Sequence, residues 1–487
     1  MSETRPTPES TASVSEAMKS SDASCRDAGL LLFWMAATWA VAGALLGLLS
    51  SLKFHGPGMG SGAVLTYGRV YPASNFLLFY GALAQAAIGV MLWLIARLSG
   101  RPLASAWMVL PGGLSWNLGV LSGAGAILTG NATGISGFEI PRGPAVMMLA
   151  GYCAMALPGL LTLMTRRDKP WYVSECFLLA ALFWFPWAFS TAILFIHVFP
   201  ARGMMLVLVG EWQYSNLSRV WLALIAYAVL FYMVPKLARR PLESGPTAAF
   251  TFWLTVFFSS WIAVPPGSPV PAWLQGVSGL AAMVSVAPML AAVTNLRATC
   301  GDQAEAIRSQ PGGICFLVSI PCLLVASLLQ AGASFRGVAD VLGYTFFEMG
   351  LHTVFTGGFV GLTVLGAVLF ALPRLTGVPW GAESMISMVG KLATGAVVVV
   401  GVSLLGAGIL QGFAAADVSV PFETALKRGM GPFRLSTLGW LAGVGAAVVV
   451  WMQITALGWK VCSVCCIPPL FREMLPAGKA KKAEVAA

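Results

Sequence analysis

Long apolar segments recur along the whole chain and dominate its pattern of hydrophobic and polar positions. A helix needs about 20 apolar residues to cross the hydrocarbon core of a bilayer, whereas barrel strands are shorter and alternate. The pattern therefore predicts an all-α integral membrane protein with twelve transmembrane helices. The predicted spans lie near residues 29–51, 73–98, 104–128, 144–165, 172–199, 205–235, 247–265, 272–296, 313–335, 344–372, 388–411 and 435–458.

The two ends of the chain depart from this pattern. Residues 1–28 contain little apolar sequence and many Ser, Thr and Glu residues, which predicts a disordered tail rather than a cleaved signal. Residues 461–487 follow the last span and are predicted to form a basic tail. The membrane domain itself is predicted to cover residues 29–460, with a tail on either side.

Lys and Arg are distributed unequally between the two sides of the predicted membrane domain. With the N-terminus inside, 20 of the 29 basic residues fall on the cytoplasmic side, eight fall on the other side, and Arg219 falls within a span. Cytoplasmic loops of membrane proteins carry an excess of Lys and Arg. The chain is therefore predicted to have both termini in the cytoplasm.

Composition agrees with a membrane location and excludes other classes of protein. The chain is 57% hydrophobic and 10% charged, whereas soluble domains carry about 25% charged residues. This excludes a soluble enzyme and a disordered protein. The net charge of +10 is explained by the basic cytoplasmic loops and tail, so the predicted partner is the lipid bilayer and not a nucleic acid.

The nine cysteines do not follow the spacing of a zinc site or of a disulfide framework. Cys462, Cys465 and Cys466 form a CxxCC cluster directly after the last span. We interpret them as juxtamembrane thiols. Lipidation and a metal site shared with a partner are the alternatives.

Three sequence motifs lie at the ends of predicted spans. They read TYGRVYPASNF at 66–76, FYMVPKLARRPL at 231–242 and LFALPRLTG at 369–377. With twelve spans in this order, the chain resembles the catalytic subunit of cbb-type cytochrome c oxidases, a branch of the haem-copper oxidase superfamily that also contains nitric oxide reductases. The resemblance covers roughly 29–460. It implies the twelve-helix subunit I fold, two haems and a copper ion held by histidines, and membrane-anchored cytochrome c partners.

The histidines that this resemblance requires are missing. Hydroxyl, amide, proline and aliphatic side chains are weak ligands of haem iron and copper, or are not ligands at all. Such residues occupy the family's ligand positions, which are Ser74, Asn216, Pro265, Pro266, Leu351 and Thr353. We therefore predict that all three metal centres have been lost and that the chain binds no cofactor.

His352 lies one position away from the ligand register of the tenth span. A shift of one residue turns a side chain by about 100° around a helix, so His352 is expected to point away from a haem placed as in the family. We predict a histidine that is hydrogen-bonded within the bundle. The alternative is a remodelled b-type haem site that uses His352.

Arg219 is a charged residue in the middle of the sixth span. Such a charge is costly unless it is paired or hydrated. Glu211 lies on the same helical face at i, i+8, and Glu348 lies near the outer start of the tenth span. We predict that Arg219 pairs with one of them, preferably Glu348, in the space that the cofactors would fill. A snorkelling or water-solvated Arg219 is the alternative.

These observations predict a non-catalytic haem-copper oxidase subunit that acts as a scaffold in a bacterial respiratory complex. It would dock membrane-anchored cytochromes or other redox subunits. One alternative is an active cytochrome c oxidase or nitric oxide reductase subunit with divergent haem ligation. Another is a transporter of protons or small molecules that uses the emptied cavity.

Overall fold

The computed structural model describes residues 8–56, 62–166, 170–262, 264 and 268–465. Within these ranges the regular structure is entirely helical, as the apolar pattern predicts. Twelve helices coincide with the predicted spans and are numbered α1 to α12. Their bounds are Arg26–Leu52, Tyr67–Ser99, Val109–Thr129, Arg142–Met164, Val173–Val198, Met204–Ala238, Gly245–Phe258, Ala272–Cys300, Gly313–Ala333, Phe346–Thr376, Glu383–Ala415 and Phe422–Val461.

Ten of the helices in the described part of the chain are long and apolar enough to cross a membrane. The other two are α3, whose sequence is interrupted by Gly, Ser and Asn, and α7, which has only 14 residues. A helix of 14 residues is too short for a bilayer core of about 30 Å. The multi-pass membrane fold is therefore confirmed, whereas the count of twelve spans is not.

Helices α2, α6 and α10 form the centre of the bundle. Within their most apolar stretches, 78%, 89% and 78% of the residues are buried, against 44% or less in the other spans. Near-complete burial is expected for helices that are hydrophobic on every side. Helix α10 packs against both α2 and α6, so the three helices share one core.

These central helices run in the same direction. Ring contacts join Phe79, Tyr214 and His352 in their first halves, and others join Trp93, Tyr232 and Phe370 near their ends. We call the end where they begin the outer end and the end where they terminate the inner end. Arg97, Lys236 and Arg374 lie in the last turns of α2, α6 and α10, so they mark the inner end. The Lys and Arg distribution predicts that this end faces the cytoplasm.

The N-terminal segment differs from its predicted disorder. Pro8–Ser24 is a helix, and Asp22 in its last turn is buried against the inner end of α2. The Asp22 carboxylate accepts a hydrogen bond from Trp93 Nε1 at 2.9 Å and pairs with Arg97. A disordered tail over 1–28 is thus wrong for Pro8–Ser24, because a few specific polar contacts dock a segment whose composition is typical of disorder.

The C-terminal predictions are not tested. Residues 466–487, which include most of the predicted basic tail, lie outside the described residues. Cys466 lies there as well, and the side chains of Cys462 and Cys465 are also outside the described part. The predicted character of this cysteine cluster therefore stays a prediction.

Candidate functional site

The three central helices share an uncommon backbone geometry. Leu77–Ala84 in α2, Asn216–Leu222 in α6 and Thr353–Gly361 in α10 are π-helical. Such segments, with i to i+5 hydrogen bonds, are rare and often lie at functional sites. Asn216 and Thr353 are the first residues of two of these segments, and Ser74 lies one turn before the third. The predicted ligand positions are therefore next to the irregular backbone.

Ser74 is completely buried and faces α1. Its hydroxyl donates a hydrogen bond to the Gly43 carbonyl at 2.8 Å. The backbone of α1 comes close because residue 43 is glycine: a Cβ there would lie 2.8 Å from Leu78. The Ser74 oxygen is thus used in helix packing and is not directed at α10, where the family's second haem ligand lies.

The two α10 positions also lack a suitable donor. Leu351 is a buried aliphatic residue. The Thr353 hydroxyl donates to the Met349 carbonyl, one turn earlier in the same helix, at 2.8 Å. This bond to i−4 is common for threonines within helices and orients the hydroxyl along its own backbone.

Asn216 is buried and fully hydrogen-bonded. Its Oδ1 accepts from Trp184 Nε1 at 3.1 Å, and its Nδ2 donates to the Trp212 carbonyl at 2.9 Å and to the Ser260 carbonyl at 3.4 Å. These contacts connect α6 to α5 and to the segment that follows α7. Asn216 therefore has a structural role in which its amide oxygen is already occupied. Pro265 and Pro266 lie outside the described residues.

The donor chemistry at these positions does not fit haem iron or copper. Iron and copper sites of this type need imidazole, thiolate or thioether ligands. The described positions offer instead the aliphatic side chain of Leu351, two hydroxyl groups and the amide of Asn216. Each polar group among them already makes a hydrogen bond with protein. Within the described residues, His, Cys, Asp and Glu do not form a group of three that could hold a metal ion.

Arg219 has a different partner from the one predicted. Its guanidinium donates a hydrogen bond to Gln330 Oε1 of α9 and lies 5.3 Å from the centre of the Phe355 ring. None of the ion pairs formed by the described residues includes Arg219. The predicted pair with Glu348 or Glu211 is therefore wrong.

Depth along α10 explains this outcome. Glu348 lies in the first turn of α10, whereas Arg219 lies level with Phe355, seven residues or about 10 Å farther into the helix. Glu348 instead accepts from the Tyr344 amide at 3.3 Å. Its carboxylate lies close enough to Glu211 for the two groups to interact electrostatically. The two acidic residues are thus electrostatic neighbours nearer the outer end.

His352 packs against Tyr214 of α6, with ring centres 5.3 Å apart in an edge-to-face arrangement. It makes no hydrogen bond to another described residue, so the predicted hydrogen bond within the bundle is not present. Arg219 is a close electrostatic neighbour of the imidazole. His352, Tyr214 and Arg219 therefore form one polar cluster between α6 and α10.

Several polar residues of this region were not predicted from sequence. Gln213 donates to the Tyr80 hydroxyl at 2.8 Å, and Tyr80 donates to the Gly137 carbonyl at 3.1 Å. Gln213 Oε1 and both polar atoms of Gln85 are buried without a hydrogen-bond partner in the described structure. Amides inside predicted spans were the available signal, because buried polar groups in membrane helices are rare and often functional.

A comparison with known families identifies the chain. The family model of "Cytochrome C and Quinol oxidase polypeptide I" matches residues 27–448, which is most of the membrane domain. The chain belongs to the cytochrome c and quinol oxidase polypeptide I family. The resemblance to haem-copper oxidases that the loop motifs indicate is thereby confirmed.

Individual relatives agree with this assignment at low identity. The chain is 22% identical over 377 residues to "Cytochrome c oxidase subunit 1" of Rhodobacter capsulatus, covering 72% of this chain and 68% of that protein. It is 21% identical to "Cbb3-type cytochrome c oxidase subunit CcoN1" of Stutzerimonas stutzeri, covering 73% and 76% respectively. The chain is therefore a divergent member of the family.

The fold is also that of a solved oxidase. A cryo-EM structure of a heme-copper terminal oxidase dimer matches with a TM-score of 0.69 and 13% identity. The match covers 89% of this chain and 84% of that chain. The helices therefore follow the subunit I fold.

Proposed function

We propose that this protein is a non-catalytic member of the family, a subunit that has kept the oxidase fold without its haems and copper. One observation carries the proposal: the described ligand positions hold side chains that lack donor atoms or whose polar atoms already make hydrogen bonds with protein. Such a subunit would act as a scaffold in a bacterial respiratory complex, docking membrane-anchored cytochromes or other redox subunits. The bacterial inner membrane is the location that fits this role.

A reduced-minus-oxidised visible spectrum of the purified full-length chain tests the proposal. We expect no haem band from protein that is folded by circular dichroism and free of partner subunits. A b-type band at one haem per chain would refute the absence of cofactors. The matched variant His352→Ala would then show whether His352 is the ligand, as in the alternative of an active subunit with divergent haem ligation.

The scaffold role has its own test. A tagged chain isolated from its native membrane should co-purify with haem-containing polypeptides that are absent from a mock purification. A folded chain that is isolated repeatedly without any redox subunit would argue against the scaffold, even if it contains no haem.

A transporter is a second candidate because of the polar cluster between α6 and α10. Arg219, Tyr214 and His352 are each partly exposed in the bundle. Polar side chains of this kind inside a membrane domain often line the path of a solute. Uptake of a solute by proteoliposomes, abolished by Arg219→Met, would favour this candidate over the scaffold.

A further inference from the structure

Two of the loop motifs meet in space at the inner end. Lys236 comes from the motif at 231–242 and Arg374 from the motif at 369–377, and both lie beside the ring of Phe370. The Arg374 guanidinium carbon is 3.4 Å from the ring centre, and Lys236 Nζ is 6.0 Å from the same centre. Lys236 Nζ also lies 5.0 Å from the centre of the Tyr232 ring. The fold thus places two cations on one aromatic platform.

A third cation adjoins this platform, and one carboxylate accompanies all three. Arg97 interacts electrostatically with Arg374 and pairs with Asp22. The groups that act on Arg374 within the described structure are Arg97, Asp22 and Tyr232. With Lys236 beside the same Phe370 ring, the cluster contains three cations and one carboxylate, a surplus of two positive charges.

Two other cations of the described part at this end have acidic partners of their own. Arg240 pairs with Asp302 at 2.5 Å, and Arg26 pairs with Asp27 at 2.9 Å. Lys236 and Arg374, by contrast, are not in the ion pairs formed by the described residues. A general excess of Lys and Arg at the cytoplasmic side explains scattered cations, but not two beside one aromatic ring with a third that acts on one of them.

The two cations have donors to spare. Lys236 donates one N–H to the Tyr232 hydroxyl at 2.9 Å, and Arg374 donates one to the Phe370 carbonyl of its own helix at 2.9 Å. An ammonium has three N–H donors and a guanidinium has five, so most donors remain available. Stacking on Phe370 also restricts the Arg374 guanidinium to one plane, which lowers the entropy lost on binding.

We propose that Lys236 and Arg374 bind a phosphate group at the inner end of the bundle. The planar guanidinium can donate two parallel hydrogen bonds to phosphate, and the ammonium adds a point charge. Basic pockets between transmembrane helices on the cytoplasmic side commonly hold phosphate headgroups.

The phosphate could come from a soluble ester or from a phospholipid. The position between the central helices favours the soluble source, because other helices surround them.

The test uses the full-length chain in nanodiscs of phosphatidylcholine, titrated with inorganic phosphate at constant ionic strength. We expect the thermal midpoint to rise with phosphate and not with an equivalent concentration of chloride. Arg374→Gln and Lys236→Gln should each weaken phosphate binding by about tenfold or more, the size expected for a charge-assisted hydrogen bond. Arg308→Gln, which removes an exposed cation outside the cluster, should leave it unchanged.

Asp22→Asn should change phosphate affinity in the opposite direction from Arg374→Gln and Lys236→Gln. Removal of the carboxylate raises the surplus to three positive charges, so phosphate binding should become tighter even if the fold becomes less stable. Repetition in nanodiscs that contain phosphatidylglycerol separates the two sources: persistent binding of free phosphate indicates a soluble ligand, and competition indicates a lipid headgroup. The proposal would be overturned if phosphate does not raise the thermal midpoint in either kind of nanodisc. It would also be overturned if Arg374→Gln binds phosphate as tightly as the unchanged protein.

Discussion

At the scale of single residues, Arg219 is bound to a neutral partner inside the membrane domain. A hydrogen bond between a charged and a neutral group contributes about 1.5–3 kcal/mol. A double-mutant cycle of Arg219→Met and Gln330→Leu should therefore yield a coupling energy within this range. The same cycle with Glu348→Gln should yield a value near zero, because Glu348 lies two turns away along α10. Thermal unfolding in detergent measures both.

The comparison of the two cycles decides between the partners. If the coupling energy is larger with Glu348 than with Gln330, then Arg219 pairs with Glu348, as the sequence predicts. Arg219→Met alone should be neutral or mildly destabilising, since removal of a partly desolvated charge offsets the lost hydrogen bond.

Ser74 illustrates why one restored ligand is insufficient. Its side chain is enclosed by α1, so the larger imidazole of Ser74→His should overpack the contact with Gly43 and cost about 1–3 kcal/mol. Neither a haem spectrum nor oxygen consumption is expected from Ser74→His, because Thr353 offers no second axial ligand. Ser74→Ala, which removes only the hydrogen bond, should cost about 1 kcal/mol. Oxygen consumption by Ser74→His would show that Ser74 does not face α1.

The residue types at the ligand positions could be read from the sequence, whereas the contacts of the nearby charges could not. The i, i+4, i+8 spacing placed Glu211 and Arg219 on one face only if α6 is a regular α-helix. A π-helical segment begins at Asn216 and changes the register before Arg219 is reached. The partner of Arg219, Gln330, is on another helix and carries no charge that a pattern could reveal.

At the scale of elements, the N-terminal helix depends on one buried carboxylate. Asp22→Asn keeps an acceptor for Trp93 but removes the charge that pairs with Arg97, so a loss of about 1–3 kcal/mol in docking is expected. Cleavage by trypsin after Lys19 should become faster. Asp27→Asn is the control, because Asp27 pairs with Arg26 at the surface and exposed pairs contribute about 0–1 kcal/mol. Equal cleavage rates in both variants would contradict the docking role.

The loop between α3 and α4 should make stability depend on pH. Burial raises the pKa of Glu139 above its ordinary value, although the Gly137 amide donates to its carboxylate at 3.0 Å. A raised pKa means that the folded protein binds this proton more tightly than the unfolded chain. The resulting stabilisation is present below pH 4.5 and is lost as pH rises through the folded-state pKa.

Glu139→Gln should therefore increase the thermal midpoint at pH 8 more than at pH 4. The amide oxygen of Gln can still accept from Gly137, so the loop conformation is kept. Thermal scans of both proteins across this range provide the measurement. A gain of the same size at both pH values would mean that titration of Glu139 is not responsible.

Helix positions followed from the length of the apolar segments, because each span must cover the same hydrocarbon thickness. Helix α7 is shorter than the apolar segment predicts. Its apolar sequence continues to residue 265, but the α-helix ends at Phe258 and a 3₁₀ turn at Ser259–Trp261 follows. Hydropathy reports the preference for lipid and contains no information on where backbone hydrogen bonding changes.

At the scale of the whole molecule, the protein combines the fold of its family with other residues at the positions predicted for metal ligands. The central helices α2, α6 and α10 keep the deepest burial and their π-helical segments, although the ligand positions beside these segments hold Ser74, Asn216 and Thr353. Hydrogen bonds from Ser74 to Gly43 and from Trp184 to Asn216 connect α2 to α1 and α6 to α5. Under the proposed scaffold role, helix packing of this kind would hold the fold together.

The orientation of the molecule in the membrane is predicted from its charge distribution. The excess of Lys and Arg predicts that the inner end, with Arg97, Lys236 and Arg374, faces the cytoplasm. Green fluorescent protein fused after Ala487 should therefore fluoresce, whereas alkaline phosphatase fused there should be inactive. A truncated fusion after Arg202, in the outer loop between α5 and α6, should show the opposite pair of activities. The reverse result at both sites would invert the topology and would place the proposed phosphate site on the periplasmic side.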